Sequence, residues 1–269
     1  DSAANHFKRA LTRDSLVADA HFFLAKSLHK YGNNREARIH FAKARDLDEL
    51  RFRASSDFNN AIRSMENKGT CFVADIESTF AAVSKDSLVG RELILEHLHP
   101  NLFGYFLMAK AYAQVMRKHS LLAQPEEWTA RDTIPDAMFW NNRPATELDE
   151  RAAARRIAIL TSGWPFKSAS TPLPLIPPPD TLGHIVQRLL SGEISWEEAH
   201  VQTAEFYTTK KDMKKAQAEY RGIVNQIPVS VSARLRLAQL LLAERKLDEA
   251  RRELLESRNI EKTFYACKQ

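Results

Sequence analysis

The hydrophobic positions of the chain recur with a period of 34 residues near both ends. In the N-terminal part the matching positions are Ala3 and Ala37, His6 and His40, Phe7 and Phe41, and Ala10 and Ala44. In the C-terminal part they are Ala204 and Ala238, Tyr207 and Leu241, Ala216 and Ala250, and Tyr220 and Leu254. Small residues that alternate with large ones let two antiparallel helices approach closely. The pattern predicts helix pairs over 1–49 and 181–258.

Six alanines are expected at the close crossings of these helices: Ala25, Ala37, Ala204, Ala216, Ala238 and Ala250. Residues 1–14 have the pattern of the second helix of a pair without its first helix. Because one repeat cannot bury its apolar face alone, we expect this chain to be a piece of a longer protein.

The period and the small positions resemble the tetratricopeptide repeat over about 1–49 and 195–258. Gly32 stands at the turn of the first complete unit, and Pro228 stands where the family ends a repeat with proline. Lys211 and Arg245 replace the turn glycine in the later units. The resemblance implies a concave groove that binds a protein or peptide partner. The candidate groove residues are Gln202, Glu205, Phe206, Arg236 and Gln239.

The middle of the chain lacks this period. Residues 57–67 are helix-like, and Gly69 ends that run. Residues 70–74 (TCFVA) predict a short buried β-strand. Because a single strand is not stable alone, its partner strands must come from elsewhere. Pro100 suits the first turn of a following helix, so a small α/β segment is expected over 50–120.

Residues 121–180 predict an irregular, proline-rich connector with one helix, over 147–161. Five prolines in 171–180 favour an extended linker. The expected fold class is therefore mainly α, with helical repeats at both ends that flank the α/β segment. The four expected parts are 1–49, 50–120, 121–180 and 181–269.

A glutamate and two histidines precede the helix that follows Pro100, in the sequence Glu96-His97-Leu98-His99-Pro100-Asn101. This spacing resembles the last sequence block of the SGNH, or GDSL-type, ester hydrolases, Asp-x-x-His-Pro-Asn. The resemblance implies that His99 is the general base for a serine nucleophile and that Glu96 orients its ring. Glutamate replaces the family's aspartate. Some bacterial proteins of this kind carry tetratricopeptide helices ahead of the block, and on that basis the resemblance extends over about 1–166.

The nucleophile, oxyanion and asparagine blocks of that family have no counterpart in the chain. Ser55 and Ser56 lack the strand-to-turn setting of a nucleophile. We therefore expect the serine in a preceding part of the protein, and we expect this chain alone to be inactive. Three further residues are candidates for contact with an ester or acyl substrate: Arg51, Arg53 and Asn101. Whether the whole protein is an enzyme stays open, because the repeats could instead form a non-catalytic scaffold around a degenerate fold.

Other interpretations of the same residues also stay open. The His-Pro-Asn sequence can be a helix cap and turn and nothing more. Glu96, His97 and His99 could bind a metal ion, although three ligands so close together rarely complete a site. Arg51 and Arg53 can be surface ion-pair partners. The sequence indicates no metal and no cofactor.

Composition excludes several classes of protein. The chain has 269 residues, and 44% of them are apolar, which is enough for two domain cores. No apolar run approaches the roughly 18 residues of a membrane span. Cys71 and Cys267 indicate neither a metal site nor a disulfide framework. The net charge of +5 is mild, and the densest basic patch, 210–215, contains no aromatic residue, so no nucleic-acid partner is expected. The sequence indicates no compartment.

Overall fold

The computed structural model describes residues 2–66, 68–131, 133–164, 166–167 and 180–266. These residues form fourteen α-helices and a 3₁₀ turn at Lys85–Ser87. The helices are α1 Ser2–Arg13, α2 Ala18–Lys30, α3 Asn34–Asp46, α4 Ser56–Arg63, α5 Ile76–Val83, α6 Leu102–Lys118, α7 Pro125–Arg131, α8 Asp136–Asn141, α9 Glu147–Leu160, α10 Thr181–Leu190, α11 Trp196–Thr209, α12 Met213–Gln226, α13 Val231–Ala243 and α14 Leu247–Ala266. The prediction of a mainly α protein is confirmed.

The chain divides into two compact units, Asp1–Pro135 and Asp136–Gln269. No helix in the described ranges combines the length and the apolarity needed to cross a membrane. Two sequence predictions fall outside the described residues, namely most of the proline-rich linker over 171–180 and Cys267.

In the N-terminal unit, α1, α2 and α3 pack in series around Ala4, Leu24, Leu28 and Ala37. Ala25 and Ala37 are completely buried, as expected for close crossings. Gly32 has φ +82° at the turn between α2 and α3, a left-handed conformation that glycine adopts without strain. A smaller core of Phe80, Leu93 and Leu107 joins α5, α6 and the segment between them.

The strand predicted over 70–74 is wrong. Residues 71–75 have no regular structure, and the described part of the chain contains no strand, only one isolated bridge between Ile94 and Pro100. Side chains from neighbouring parts of the unit make the contacts of this segment instead. The backbone N–H of Val73 donates to Oε2 of Glu66 at 2.7 Å, and the Phe72 ring stacks on His119 at 4.1 Å. Phe72 thus packs beside the residue that ends α6, and the backbone of Val73 is bonded to the turn after α4.

Charged residues connect α3, α4 and α5. Arg45 donates to Glu77 and to the hydroxyl of Ser56, both at 2.7 Å. Arg63 pairs with Asp75 at 2.8 Å and with Glu77 at 2.5 Å. Hydrogen bonds from Arg63, Ser78 and the Ser78 backbone outweigh the effect of burial and lower the pKa of Asp75 to about 2. The Ser56 hydroxyl therefore belongs to a structural network.

In the C-terminal unit, α10 to α14 pack as successive neighbours. Ala204, Ala216, Ala238 and Ala250 are completely buried, so all six predicted crossing alanines lie in the interior. The turns without glycine keep the left-handed geometry, because Lys211 has φ +59° and Arg245 has φ +58°.

Helix α9 also belongs to this unit, although the sequence predicted it as the one helix of a connector. Its Leu148 and Ala152 pack with Ile185, Val186 and Ala199 in one apolar cluster. The two short helices α7 and α8 precede it, so this part of the chain is more helical than expected.

Candidate functional site

Residues 93–101 form a narrow loop that leads into α6. The backbone N–H of Leu95 donates to the carbonyl of His99 at 2.8 Å, and that of Asn101 donates to the carbonyl of Leu93 at 2.8 Å. The bridge between Ile94 and Pro100 lies between these two hydrogen bonds. Pro100 therefore precedes the helix rather than occupying its first turn. The loop brings Glu96 and His99 to its tip.

Asn101 is the N-cap of α6. Its Oδ1 accepts from the backbone N–H of Gly104 at 2.9 Å, and its Nδ2 donates to the carbonyl of Glu92 at 2.9 Å. Both polar groups of the amide thus have partners within the protein. These hydrogen bonds explain Asn101 as a helix cap that also fixes the loop, and they give no separate support to a role in substrate binding.

Gly104 allows the loop to lie directly on α6. A Cβ atom at this position would lie 2.5 Å from the carbonyl oxygen of Leu93 and 2.9 Å from Cβ of Pro100. Because both atoms belong to rigid parts of the chain, a larger residue would displace the loop. Gly104 therefore supports the position of the loop that carries His99.

The Glu96 carboxylate is held by the loop that carries it. Its side chain is only 1% exposed and accepts hydrogen bonds from the backbone N–H groups of His97, Leu98 and His99. Burial alone would raise the pKa of Glu96, but the hydrogen bonds from the His99 ring and from these amides outweigh it and lower the pKa to about 2. Glu96 is a carboxylate with a fixed orientation at neutral pH.

The His99 ring rests on this carboxylate. Its Nδ1 is hydrogen-bonded to Oε1 of Glu96, and 54% of the side chain is exposed. Within the described ranges, Nε2 of His99 has no hydrogen-bond partner. A carboxylate at Nδ1 favours the tautomer whose Nε2 accepts a proton, which is the orientation that a general base requires.

His97 shares the same carboxylate. Its Nδ1 lies 2.7 Å from Oε2 of Glu96, and its ring packs edge-on against Phe52 at 4.7 Å between centroids. The sequence did not distinguish the two histidines by environment. In the structure, His97 is 24% exposed and packed, and His99 is more open.

Arg51 and Arg53 are not joined to the dyad. Both are exposed, and Nε of Arg51 donates to the carbonyl of Asp48 at 3.3 Å. No hydrogen bond or ion pair among the described residues links either arginine to Glu96 or His99. Phe52, which lies between them in sequence, contacts His97.

The site has no metal-ligand cluster in the described part of the chain. No group of three or more His, Cys, Asp or Glu side chains is arranged to hold a metal ion there. His99 lines none of three surface grooves of the N-terminal unit, which lie at the α2–α3 turn, between α5 and α6, and beside α7.

The predicted groove residues of the C-terminal repeats divide into two sets. Glu205, Arg236 and Gln239 are exposed, and Arg236 donates to Gln239 at 3.3 Å. Gln202 and Phe206 are half-buried: Gln202 accepts from Arg188 at 3.1 Å, and Phe206 packs beside the cluster that contains Ala216. Part of the expected groove is therefore occupied by internal contacts.

A second histidine–carboxylate cluster was not predicted. His200 of α11 is completely buried and lies between Glu219 of α12 and Asp149 of α9. The available signal was its position one helical turn before Ala204, on the side of α11 that the repeat pattern places inside. Nothing in the sequence indicated its two partners.

No family model, curated protein or solved structure matches the chain.

Proposed function

We propose that this chain is part of an SGNH-type ester or acyl hydrolase in which His99 is the general base and Glu96 orients it. The observation that supports the proposal is the dyad itself: a buried, ionised carboxylate bonded to Nδ1 of a histidine whose Nε2 has no partner in the described residues. A dyad of this kind activates a serine hydroxyl.

In the proposed reaction, Nε2 of His99 takes the proton of a serine hydroxyl as its oxygen attacks the ester carbonyl. Glu96 stabilises the imidazolium that forms and keeps the ring oriented. His99 then returns the proton to the leaving alcohol, and a water molecule repeats the sequence to release the acid. In this proposal the serine and the oxyanion donors belong to a preceding part of the protein.

In this proposal the repeats serve protein–protein binding. Stacked helix pairs form a continuous surface, and the exposed residues Glu205, Arg236 and Gln239 give the C-terminal repeats a polar face of mixed charge. Arg51 and Arg53 would contact an anionic group of the substrate once the preceding part of the protein completes the active site. Asn101 contributes through the cap that positions the loop.

The alternative is a tetratricopeptide scaffold without catalysis. Two observations favour it: the described residues contain no strand, and His99 lines none of the three surface grooves described above. In that case the His-Pro-Asn sequence is a helix cap, and the chain binds a peptide or protein through its repeats.

An esterase assay of the full-length protein separates the two functions. His99→Ala is expected to abolish hydrolysis of a small aryl acetate without a change in circular dichroism, because it removes the proton acceptor and little packing. Glu96→Gln is expected to reduce activity less, since the amide still accepts a hydrogen bond from the ring. His29→Ala is the matched control, because His29 is also exposed and bonded to a nearby side chain, Asn34. Equal activity of wild type and His99→Ala would reject catalysis by His99.

A further inference from the structure

The His200 cluster joins three helices of the C-terminal unit through one imidazole ring. Nδ1 of His200 lies 2.6 Å from Oε2 of Glu219, and Nε2 lies 3.3 Å from Oδ1 of Asp149. His200 is 0% exposed, and the side chain of Glu219 is 1% exposed. The Trp196 ring covers the imidazole at 4.1 Å between centroids. This ring is thus enclosed between α9, α11 and α12.

The first turn of α9 supplies most of the remaining contacts. The backbone N–H of Thr146 donates to Oδ2 of Asp149 at 2.9 Å, which completes a capping box at the start of the helix. Nε1 of Trp196 donates to Oδ1 of Asp149 at 3.3 Å, and the backbone N–H of Leu148 lies 3.5 Å from Oε1 of Glu219. Asp149 therefore both caps α9 and connects it to the ring.

Both nitrogens of His200 face carboxylate oxygens: Nδ1 is hydrogen-bonded to Glu219, and Nε2 lies within ion-pair distance of Asp149 without the alignment of a hydrogen bond. A neutral imidazole carries one N–H, so one nitrogen would direct its lone pair at a carboxylate. A ring that is fully enclosed has no water to relieve that repulsion. The imidazolium form is the one that places a proton between the ring and each of the two ionised carboxylates.

We infer that His200 is a buried imidazolium whose proton holds the first turn of α9 on the repeat helices, so that the docking of α9 depends on pH. The inference is independent of the function proposed for His99. It assigns the cluster a conformational role rather than a catalytic one, because no solvent-exposed surface reaches the ring.

The charges around the ring agree with this role. Burial alone would lower the pKa of His200, but the hydrogen bonds and charges of Asp149 and Glu219 outweigh it and raise the pKa above the ordinary value of 6.5. Burial would raise the pKa of Asp149, whereas the contact with His200 and the Thr146 backbone lower it to about 2. The other charged groups at the start of α9 neutralise one another, because Glu147 pairs with Arg151 at 2.9 Å and with Lys215 at 2.8 Å.

The sign of the pH effect follows from the raised pKa. When α9 is docked on α11 and α12, His200 keeps its proton up to a higher pH than when α9 is undocked. Stability from the cluster is fully present below pH 6.5 and is lost as the pH rises through the pKa of the docked state. Between those two values the undocking constant of α9 is expected to rise about tenfold per pH unit, as for one released proton.

Two measurements on the full chain test the inference. NMR of ¹⁵N-histidine-labelled protein, with His200 assigned by His200→Gln, is expected to show both ring nitrogens protonated at pH 7. Hydrogen exchange of residues 147–160, corrected for intrinsic rates, is expected to show protection that declines over the pH range in which His200 titrates.

The controls separate this effect from general unfolding. His184→Gln removes an exposed histidine of α10 and is expected to leave the pH profile of α9 unchanged. The double variant Asp149→Asn, Glu219→Gln removes both carboxylates and is expected to make the profile flat while His200 becomes neutral at pH 7. A neutral His200 in the wild type, or α9 protection that is unchanged while His200 loses its proton, would overturn the inference.

Discussion

The two units of the protein bury histidines in opposite electrostatic surroundings. In the N-terminal unit, Nδ1 of the buried His21 lies 2.8 Å from Nδ1 of His40, and Nε2 of His21 lies 3.1 Å from the carbonyl of Ser15. Burial, and then the charge of His21, lowers the pKa of His40 below 6.5. In the C-terminal unit, two carboxylates raise the pKa of His200 despite complete burial. The comparison shows that two carboxylate partners reverse the direction in which burial shifts the pKa of a histidine, whereas a histidine partner adds to the effect of burial.

The units also differ in their interiors. The buried apolar residues of the C-terminal unit form three clusters that connect α9 to α14, and the largest contains Ile223, Leu237 and Leu241. The N-terminal unit has two small clusters, and it exposes large side chains such as Phe58, Ile62 and Met65 on and just after α4. With a smaller apolar interior, the N-terminal unit depends more on polar networks, such as that of Arg45 and Arg63, to hold its segments together.

The largest expected effect comes from His200→Leu. The change leaves Glu219 buried and charged without its partner, which costs on the order of 3–5 kcal/mol. Denaturant unfolding should show this loss in the transition of the C-terminal unit. His184→Leu is the control, because that histidine is exposed. If His200→Leu lost less than about 1 kcal/mol, the buried ion cluster would not be important for stability.

Overpacking of a helix crossing is expected to affect each unit separately. Ala37→Leu in the N-terminal unit and Ala250→Leu in the C-terminal unit should each cost about 1–3 kcal/mol, because both alanines are completely buried. Ala3→Leu and Ala243→Leu are matched controls at exposed positions of α1 and α13. Unchanged melting of both buried variants would contradict the repeat assignment.

The pH dependence of the two units is expected to have opposite signs. The lowered pKa of His40 gives stability that is present above pH 6.5 and is lost as the pH falls through the folded-state pKa. The raised pKa of His200 gives stability that is present below pH 6.5 and is lost as the pH rises. One proton changes stability by up to about 1.4 kcal/mol per pH unit.

Hydrogen exchange of α2 and α3 compared with α11 and α12, from pH 5 to pH 9, measures this difference. His40→Phe should remove the contribution of His21 and His40 to the acid sensitivity of α2 and α3. It should leave the pH profile of α11 and α12 unchanged. Parallel pH profiles in the two units would contradict the comparison.

The smallest expected effect concerns the repeat turns. Lys211→Gly and Arg245→Gly relieve a left-handed backbone and should each stabilise the C-terminal unit by about 0.5–1 kcal/mol. Gly32→Ala in the N-terminal unit should cost about 1 kcal/mol, because alanine disfavours the left-handed conformation at this position. The cost comes from the backbone alone, since an added Cβ would contact nothing within 4 Å. Thermal melting of the three variants measures the turn strain without a packing change. Destabilisation by both glycines would show that the long side chains contribute more than the strain costs.

Several features of the candidate site could be predicted from the sequence, and others could not. The proximity of Glu96 and His99 follows from their spacing in a short loop before a helix, and so does the cap at Asn101. The strand over 70–74 could not be judged from its β-type residues, because a strand exists only where a neighbouring strand supplies the hydrogen bonds. Here Glu66 and His119 supply the contacts instead.

The sequence by itself determined the helix pairs and their six buried alanines, since both follow from a local period of small and large side chains. The tertiary structure alone decided the packing of α9 into the C-terminal unit and the protonation of His200. Those features depend on contacts between Asp149, His200 and Glu219, which lie 51 and 19 positions apart in the chain. The energy of a buried charge depends on the atoms that surround it in space, and a local pattern of residues does not contain that information.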